Sequence, residues 1–254
     1  MTQQLRKALF DNYRNGQGQI SSGAVYEDIR AQWPYYETNY RRFVENLPRN
    51  VEILEVGSGP GSLLSWLNSL GYENLSGVDA SPGDVAFANN HLCREIVRIG
   101  DGRDYLIKHP STYDAIFMKA ILEHQPKEDL LPMIVSAAGA LNPNGLLLVD
   151  VPNMDWLFAG HERYMDLTHE TGFTRESLTA LLRLVFRDVE VYGSVPANLT
   201  RGKRWLRRSL IRSLRFIFSI LGEGAGDSLF ESRSIIAIAR RPESSHMVPT
   251  AHVE

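Results

Sequence analysis

The sequence predicts an α/β fold in which a seven-stranded, mostly parallel sheet carries helices on both faces. Two observations support this prediction. From Val51 onward, short apolar segments alternate with amphipathic segments of helical length, which is the rhythm of repeated strand–helix units. The first apolar segment runs directly into Gly57-x-Gly59-x-Gly61, and glycines favour such a tight turn between a strand and the helix that follows it.

Seven segments are predicted to be strands because they are short and rich in apolar or β-branched residues. They are Val51–Val56, Asn74–Val78, Ile96–Ile99, Tyr113–Met118, Gly145–Val151, Asp188–Tyr192 and Ser234–Ala239. Helices are predicted between them, for example over Leu63–Leu70, Leu130–Ala140 and Arg175–Val185. Thr174 is a favourable N-cap for the last of these helices. A long insert, spanning residues 196–230, separates the last two strands.

Two terminal segments lie outside this rhythm, on either side of a main domain over residues 51–240. Residues 1–50 have helical character and are predicted to form an N-terminal helical cap. Their aromatic residues are Tyr13, Tyr26, Trp33, Tyr35, Tyr36 and Tyr40. Residues 241–254 are polar and contain Pro242 and Pro249, so they are predicted to form a flexible tail.

The composition is that of a globular protein with a buried core, since 43% of the 254 residues are hydrophobic and 22% are charged. Cys93 is the single cysteine, which excludes an intramolecular disulfide and a thiolate zinc cluster. Met1–Leu9 is polar and lacks the apolar core of a signal peptide. No apolar run approaches the roughly 18 residues that span a bilayer. We therefore expect a cytoplasmic protein.

The glycine-rich turn alone does not identify a cofactor, because dinucleotide-binding folds place a similar turn at the same point. Three further features follow it in order. Asp79 ends the second predicted strand, Asp101 follows the third, and Leu141–Gly145 forms a turn before the fifth. A dinucleotide fingerprint would also require Gly or Ala at position 62, where this chain has Ser62.

These four motifs, taken together over about Val51 to Val195, resemble those of the class I S-adenosylmethionine (SAM)-dependent methyltransferases. The resemblance implies a Rossmann-like fold and SAM as cofactor, with an acid beside the turn facing the sulfonium cation. Asn144 stands where the "LxPGG"-like turn of the family has a glycine. The implied cofactor-binding residues are Glu55, Gly57, Ser58, Gly59, Gly61, Asp79, Ala80, Asp101, Gly102 and Lys119.

Two histidines lie where a catalytic group would be useful. His124 follows the fourth predicted strand, and His169 follows the fifth. Both segments leave the carboxyl edge of the sheet, which is where open α/β folds bind their ligands. Because an alcohol is not ionised at neutral pH, its methylation requires a general base or a metal. His169 and His124 are therefore the predicted catalytic residues, although each could instead only pack the site.

Two narrower resemblances concern the acceptor. The stretch Asp166-x-x-His169-x-x-x-Phe173-Thr174 resembles one in methyltransferases of bacterial polysaccharide gene clusters. A shorter pattern is similar to that of ubiquinone-biosynthesis O-methyltransferases, and it implies that Glu123, His124 and His169 hold a divalent metal such as Mg²⁺. Ala120 stands where that pattern has a further acid, which weakens the metal interpretation.

A basic helix is predicted within the insert, over Lys203–Leu221. Seven Lys or Arg residues and no acid lie between Arg201 and Arg215, although the chain has a net charge of −3. Leu206, Leu210, Leu214, Ile217 and Leu221 share one stripe, and Arg204, Arg208, Arg212, Arg215 and Ser219 share another. The helix is predicted to end at Gly222, Gly224 and Gly226.

Three interpretations of this helix remain open. It could pack on the protein body, contact an anionic membrane through residues 201–221, or bind phosphate groups of a substrate. Nucleic acid is not expected as a partner, because no recognisable binding module accompanies the charge.

The sequence therefore predicts a SAM-dependent O-methyltransferase acting on a sugar hydroxyl of a nucleotide-sugar or a surface polysaccharide. Two alternatives remain. One is an enzyme for phenolic or quinone-type acceptors, and the other is a non-catalytic SAM-binding scaffold of a glycan-assembly complex.

Overall fold

The computed structural model describes residues 4–5, 8–9, 27–222 and 228–243. The elements in chain order are α1 (Trp33–Asn39), α2 (Arg41–Val44), β1 (Ile53–Val56), α3 (Ser62–Ser69), β2 (Leu75–Asp79), α4 (Pro82–Leu92), β3 (Val97–Ile99), α5 (Gly102–Lys108), β4 (Tyr113–Lys119), a 3₁₀ turn (Leu122–His124), α6 (Lys127–Ala140), β5 (Leu141–Pro152), α7 (Ala159–Tyr164), α8 (Arg175–Arg183), β6 (Asp188–Gly193), α9 (Arg201–Leu221) and β7 (Ser234–Arg240).

The seven strands form one sheet in the order β3-β2-β1-β4-β5-β7-β6. All neighbouring strands from β3 to β5 are parallel, and β7 runs antiparallel to both β5 and β6. The predicted seven-stranded, mostly parallel sheet is confirmed. Because the chain order reverses between β1 and β4, the carboxyl ends of these strands border a crevice in which α/β folds bind ligands.

Helices cover both faces of the sheet, as predicted. On one face, residues of α6 and α8 such as Ile134 and Leu182 are buried against the sheet. On the other, α3 and α4 contribute residues such as Leu64 and Ala88. All four residues of β1 are buried, which explains why the central strands appear in the sequence as continuous apolar runs rather than alternating ones.

The N-terminal helices belong to the second of these layers. Tyr36, Tyr40 and Val44 are buried together with residues of the sheet, and the Tyr40 ring lies 6.3 Å from that of Phe117. Residues 33–44 therefore form part of the main core. Tyr13 and Tyr26 of the predicted aromatic cap lie outside the described residues.

The helix ends follow the predicted capping chemistry. The Thr174 side chain accepts a hydrogen bond from Ser177 N, and the Ser177 side chain accepts one from Thr174 N, which together form a capping box at the start of α8. Helix α9 begins at Arg201, two residues before the predicted start, because Thr200 caps it by accepting from Lys203 N.

The predicted start of β5 differs from the structure. The turn Asn142–Gly145 does not precede β5, which already pairs with β4 at Leu141; the turn interrupts this pairing, which resumes at Leu146. Asn144 adopts a left-handed φ of 63° there, a conformation that asparagine tolerates.

The C-terminal boundary also differs. The predicted flexible tail starts at Arg241, but the backbone of Arg241 exchanges hydrogen bonds with Asn144 and Gly145. Residues 244–254 of the predicted tail, and Gly224 and Gly226 after α9, lie outside the described residues. Among the described residues, no helix combines the length and the apolar character needed to cross a bilayer.

A buried carboxylate joins the N-terminal helices to the sheet. Asp150 on β5 is buried, and its Oδ2 accepts hydrogen bonds from the hydroxyls of Tyr35 at 2.6 Å and Tyr40 at 2.5 Å. Burial raises the pKa of Asp150, while Lys119 and these hydroxyls act to lower it.

We predict that Tyr40→Phe lowers the free energy of unfolding by about 1–3 kcal/mol, because the buried Asp150 loses one donor. Urea denaturation measures the effect. Tyr164→Phe is the matched control, since this tyrosine is 76% exposed, and it should change stability by less than about 0.5 kcal/mol. Equal stability of the two variants would contradict the structural role of this contact.

Candidate cofactor and acceptor site

A cavity of about 650 Å³ lies at the carboxyl ends of β1, β2 and β4, within the size range of small-molecule sites. Nine of the ten predicted cofactor-binding residues line it, together with one predicted catalytic residue. They are Glu55, Gly57, Ser58, Gly59, Asp79, Ala80, Asp101, Gly102, Lys119 and His124. Gly61, Glu123 and His169 are not among its lining residues.

The glycine turn has the left-handed backbone that its sequence predicts. Gly57 has a φ of +69° and Gly61 a φ of +79°, which other residues adopt only with strain. Gly61 is the N-cap of α3, and a Cβ there would lie 3.0 Å from the Cβ of Ala88. Gly61 therefore allows α3 and α4 to pack closely, while Gly57 and Gly59 border the cavity.

Asp79 holds the turn against β2. Its Oδ2 accepts a hydrogen bond from Gly59 N at 2.8 Å, and its Oδ1 accepts one from Ser81 N at 2.8 Å. Each carboxylate oxygen can accept a second hydrogen bond, so both can still receive a ligand hydroxyl. Burial raises the pKa of Asp79, against the lowering effect of the two backbone amides.

Glu55 is a buried acid beside the same turn. Only 4% of its surface is exposed, and burial raises its pKa well above the usual range, an effect that Lys119 opposes and Asp79 reinforces. Among the described residues, no group forms a hydrogen bond with its Oε2 or with the buried Oγ of Ser58. A ligand that brings positive charge and hydrogen-bond donors would satisfy both atoms.

Lys119 supplies the positive charge nearest to the buried acids. It ends β4 and lines the cavity, and its charge lowers the pKa values of Glu55, Glu123 and Asp150. One ammonium group therefore acts on three buried carboxyl groups, and a further positive charge in the cavity would also be attracted to them. Lys119 was predicted from the sequence to line the site, whereas Asp150 was not, because nothing in the sequence of β5 indicates its tyrosine partners.

Asp101 has a local structural role as well as a place at the cavity. Its Oδ1 accepts a hydrogen bond from Asp104 N at 2.9 Å and so caps α5. Gly102 follows it, and a Cβ at Gly102 would lie 2.5 Å from Cγ1 of Val56. The backbone of α5 can thus approach β1 closely at the edge of the cavity.

The two predicted catalytic histidines lie side by side. The centroids of the His124 and His169 rings are 4.9 Å apart. Two backbone hydrogen bonds join their segments, from Glu170 N and Thr171 N to the carbonyl oxygen of Glu123, at 2.7 and 3.0 Å. His124 borders the cavity, and His169 lies next to it in the segment that follows α7.

Hydrogen bonds determine which nitrogen of each neutral ring carries the proton. Thr168 Oγ1 donates its only proton to Asp166 Oδ1 at 2.6 Å, so Nδ1 of His124, 2.8 Å from Thr168 Oγ1, must donate to it. Nδ1 of His169 donates to the carbonyl oxygen of Glu162 at 2.8 Å. Both rings therefore carry the lone pair on Nε2.

Asp166 and Thr168 form a buried chain behind His124. Burial alone would raise the pKa of Asp166, but hydrogen bonds from Thr168 and the neighbouring histidines outweigh it and lower that pKa. The carboxylate thus fixes the Thr168 hydroxyl, which in turn fixes the tautomer of His124. Sequence reasoning missed the role of Thr168, although its position one residue before His169 could have drawn attention to it.

Glu123 completes the cluster of titratable groups. Its carboxyl group is buried, and burial raises its pKa to about 8. Neither of its oxygens has a hydrogen-bond partner among the described residues. One ligand atom from each of Glu123, His124 and His169 lies within 4.8 Å of the other two.

The backbone is strained where β4 leads into this cluster. Ala120 has a φ of +56° and lines the cavity, although alanine rarely adopts this left-handed conformation. Its amide donates to the carbonyl oxygen of Asp150 at 2.9 Å. This contact holds the turn that directs Ile121 and His124 toward the cavity.

Comparisons with known proteins identify the class to which this fold and site belong. Residues 28–224 match a family model described as a methyltransferase domain. The chain therefore belongs to this methyltransferase family.

Among solved structures, the chain is similar to a SAM-dependent methyltransferase from Archaeoglobus fulgidus, with a TM-score of 0.60, 18% identity and coverage of 92% of this chain and 99% of the other. It is also similar to phosphoethanolamine N-methyltransferase 2 of Haemonchus contortus bound to SAM, with a TM-score of 0.62, 16% identity and coverage of 93% and 60%. At these identities, the likeness shows the fold alone.

Curated relatives include N- and O-methyltransferases. N-terminal Xaa-Pro-Lys N-methyltransferase 1 of Xenopus tropicalis is 24% identical over 173 residues, which cover 64% of this chain and 75% of that protein. A ubiquinone biosynthesis O-methyltransferase of Xanthomonas campestris is 30% identical over 105 residues, which cover 40% of this chain and 43% of that protein. The match to this second relative spans less than half of its length.

We predict that Glu55→Gln separates stability from cofactor binding. Because the folded-state pKa of Glu55 is raised, its ionisation costs stability as pH rises from its ordinary value of about 4.3 through the raised value. The variant should therefore unfold at a higher temperature than the wild type at pH 8, and at a similar temperature at pH 4. It should also bind SAM at least about tenfold more weakly.

Differential scanning fluorimetry with and without SAM, together with calorimetric titration, measures both effects. Glu73→Gln is the control, since Glu73 is exposed and outside the cavity. Undiminished SAM affinity in Glu55→Gln would show that this acid does not bind the cofactor.

Proposed function

We propose that this methyltransferase is an O-methyltransferase in which His124 accepts the proton of the acceptor hydroxyl at Nε2. The observation that carries the proposal is the hydrogen-bond chain from Asp166 through Thr168 to Nδ1 of His124, beside the cavity. These hydrogen bonds hold the proton of the neutral imidazole on Nδ1. The basic Nε2 is then on the opposite side of the ring, which is the arrangement that a general base requires.

Different residues of the site would bind the cofactor, remove the acceptor proton and orient the acceptor. SAM would supply an electrophilic methyl group on its sulfonium. The acceptor oxygen would bond to the methyl carbon as the carbon–sulfur bond breaks in line, and the neutral thioether would leave. Glu55 and Asp79 would hold the cofactor by charge and by hydrogen bonds. His124 would remove the acceptor proton, and Asp166 would stabilise the resulting imidazolium through Thr168. His169, adjacent to His124, would orient the acceptor or share the proton.

The narrower proposal for the acceptor is a sugar hydroxyl, in a nucleotide-sugar or a surface polysaccharide. It is supported by the resemblance of Asp166–Thr174 to a stretch in methyltransferases of polysaccharide gene clusters. The structure adds a physical reason for that stretch, because Asp166 and Thr168 fix the His124 tautomer. Phenolic acceptors are the alternative, and they need a base less because they ionise more readily.

A panel of acceptors incubated with SAM tests the acceptor class, with mass spectrometry to detect a gain of one methyl group. The panel contains nucleotide-sugars, polysaccharide fragments, catechols and amine-bearing peptides. Methylation of a sugar hydroxyl supports the narrower proposal. Methylation of amines alone would refute the assignment as an O-methyltransferase.

We predict that His124→Gln keeps the thermal shift caused by SAM but lowers kcat by about 100-fold or more, the usual contribution of a general base. Thr168→Val should cause a smaller loss of kcat with an unchanged KM. The variant removes the hydrogen bond that keeps the proton on Nδ1 of His124, but it leaves the imidazole in place. Steady-state kinetics on the identified acceptor measure both variants. His91→Gln is the control, because His91 is exposed on α4; wild-type turnover in His124→Gln would contradict its role as base.

A divalent cation is a second candidate function for the same cluster. Two ligands that each lie about 2.1 Å from an ion can be no more than about 4.2 Å apart, so the 4.8 Å spread of Glu123, His124 and His169 needs only a small contraction. Nδ1 of His124 donates to Thr168 Oγ1, and Nδ1 of His169 donates to the carbonyl oxygen of Glu162. Histidine ligands in most protein metal sites donate their second N–H in this way. A bound cation would also satisfy the carboxylate of Glu123.

We predict that, if this site binds Mg²⁺ or Mn²⁺, the ion raises the melting temperature of the chelator-treated wild type and not that of Glu123→Gln. At 100 times the dissociation constant, the gain in stability is about 2.7 kcal/mol. Glu128→Gln is the control, since Glu128 is exposed on α6. No shift with millimolar metal in the wild type would exclude the cation while leaving the general base unaffected.

A further inference from the structure

One side of α9, the helix within the insert, contacts the rest of the protein. Arg207 donates to the carbonyl oxygen of Glu231 at 2.9 Å, and Arg215 donates to the Glu231 carboxylate at 2.8 Å. The Phe218 ring packs edge-on against Phe230, with centroids 5.0 Å apart. The helix thus attaches to the protein body through a mixed polar and aromatic side.

The opposite side of α9 is apolar and exposed to solvent. At 100° per residue, six large apolar side chains share this side, and each is at least 43% exposed. They are Trp205, Leu206, Leu210, Phe216, Ile217 and Ile220. A helix on the surface of a globular protein normally turns its apolar stripe toward the core, so this arrangement is reversed.

Cations border the exposed apolar side. Five of the seven basic residues of α9 are exposed, namely Arg201, Lys203, Arg204, Arg208 and Arg212. The segment from Arg201 to Leu221 contains no acid. An apolar side bordered by cations is the composition of helices that lie in the plane of a membrane interface.

The helix is held at the ligand-binding edge of the sheet. It follows the carboxyl end of β6 and precedes β7, which begins at that same edge because it runs antiparallel. The buried Asn153 donates to the carbonyl oxygens of Leu229 and Ser232. This contact ties the returning chain to the end of β5, where the segment that carries His169 begins.

A second exposed apolar group lies in that neighbouring segment. Leu157, Phe158, Tyr164 and Leu167 are each more than half exposed, and Leu157 N donates to the carbonyl oxygen of Phe230 at 3.2 Å. Apolar side chains therefore emerge from α9 and from a segment that contacts the same residue, Phe230, as α9 does.

We propose that α9 is a membrane-surface anchor that lies in the headgroup region of an anionic bilayer. Its apolar side would enter the acyl boundary while the bordering arginines contact lipid phosphates. Charge favours this occupant over a second copy of the chain, because self-pairing would bring two sets of cations together without an acid in either helix. The helix would lie on the membrane, since it lacks the apolar character needed to cross one.

Flotation of the full chain with lipid vesicles tests the proposal. Vesicles of phosphatidylcholine mixed equally with phosphatidylglycerol should bind the protein, and phosphatidylcholine alone should bind it at least about tenfold less. Trp205→Ala combined with Phe216→Ala should weaken binding by about tenfold or more, because less apolar surface enters the bilayer. Arg208→Gln combined with Arg212→Gln should do the same and remove most of the salt dependence.

The control variant combines Ile107→Ala with Leu184→Ala. Ile107 on α5 and Leu184 just after α8 are both apolar and exposed, so this variant should bind vesicles like the wild type. A thermal shift with SAM shows that every variant is folded. Equal binding to neutral and anionic vesicles, or undiminished binding in the Trp205 and Phe216 variant, would overturn the proposal. So would a dimer in solution that this variant dissociates, because a second copy would then cover the apolar side.

Discussion

The structure of the site depends on the burial of several carboxyl groups near one lysine. Glu55, Glu123 and Asp150 come from three neighbouring strands or the turns that follow them, and Lys119 at the end of β4 acts on all three. Burial of acids costs free energy unless opposite charge or hydrogen bonds compensate. Asp150 is compensated within the chain by tyrosine hydroxyls. Oε2 of Glu55 has no hydrogen-bond partner among the described residues, so a cationic ligand would complete the electrostatic balance of the cavity.

Much of the fold could be predicted because it depends on features that are local in sequence. All seven strands and the capping of α8 by Thr174 were predicted from apolar runs, glycines and N-cap chemistry within a few residues of each element. The position of the cavity was also predictable, since the carboxyl ends of β1 and β2 bring Glu55 and Asp79 to one crevice. The start of β5 was missed because its first pair to β4 precedes the turn that normally marks a strand end.

The rest of the site depends on contacts between residues far apart in sequence, which no local pattern reveals. Tyr35 and Asp150 are 115 residues apart and meet only because α1 lies over the sheet. His124 and Thr168 are 44 residues apart, and their hydrogen bond determines which nitrogen of the imidazole is basic. The sequence could nominate His124 and His169 by type and position. It could not show that His124 borders the cavity while His169 lies beside it.

The distribution of charge at this edge of the sheet would allow one protein to receive ligands of opposite sign. The cavity interior is lined by Glu55, Asp79 and Asp101, so its field attracts a cationic cofactor and repels anions. The basic side chains of α9 do not line the cavity, and the insert that carries them leaves β6 and returns to β7 at the same edge of the sheet. On the two proposals made above, a cation would be selected inside the cavity while an anionic group is held at the protein surface.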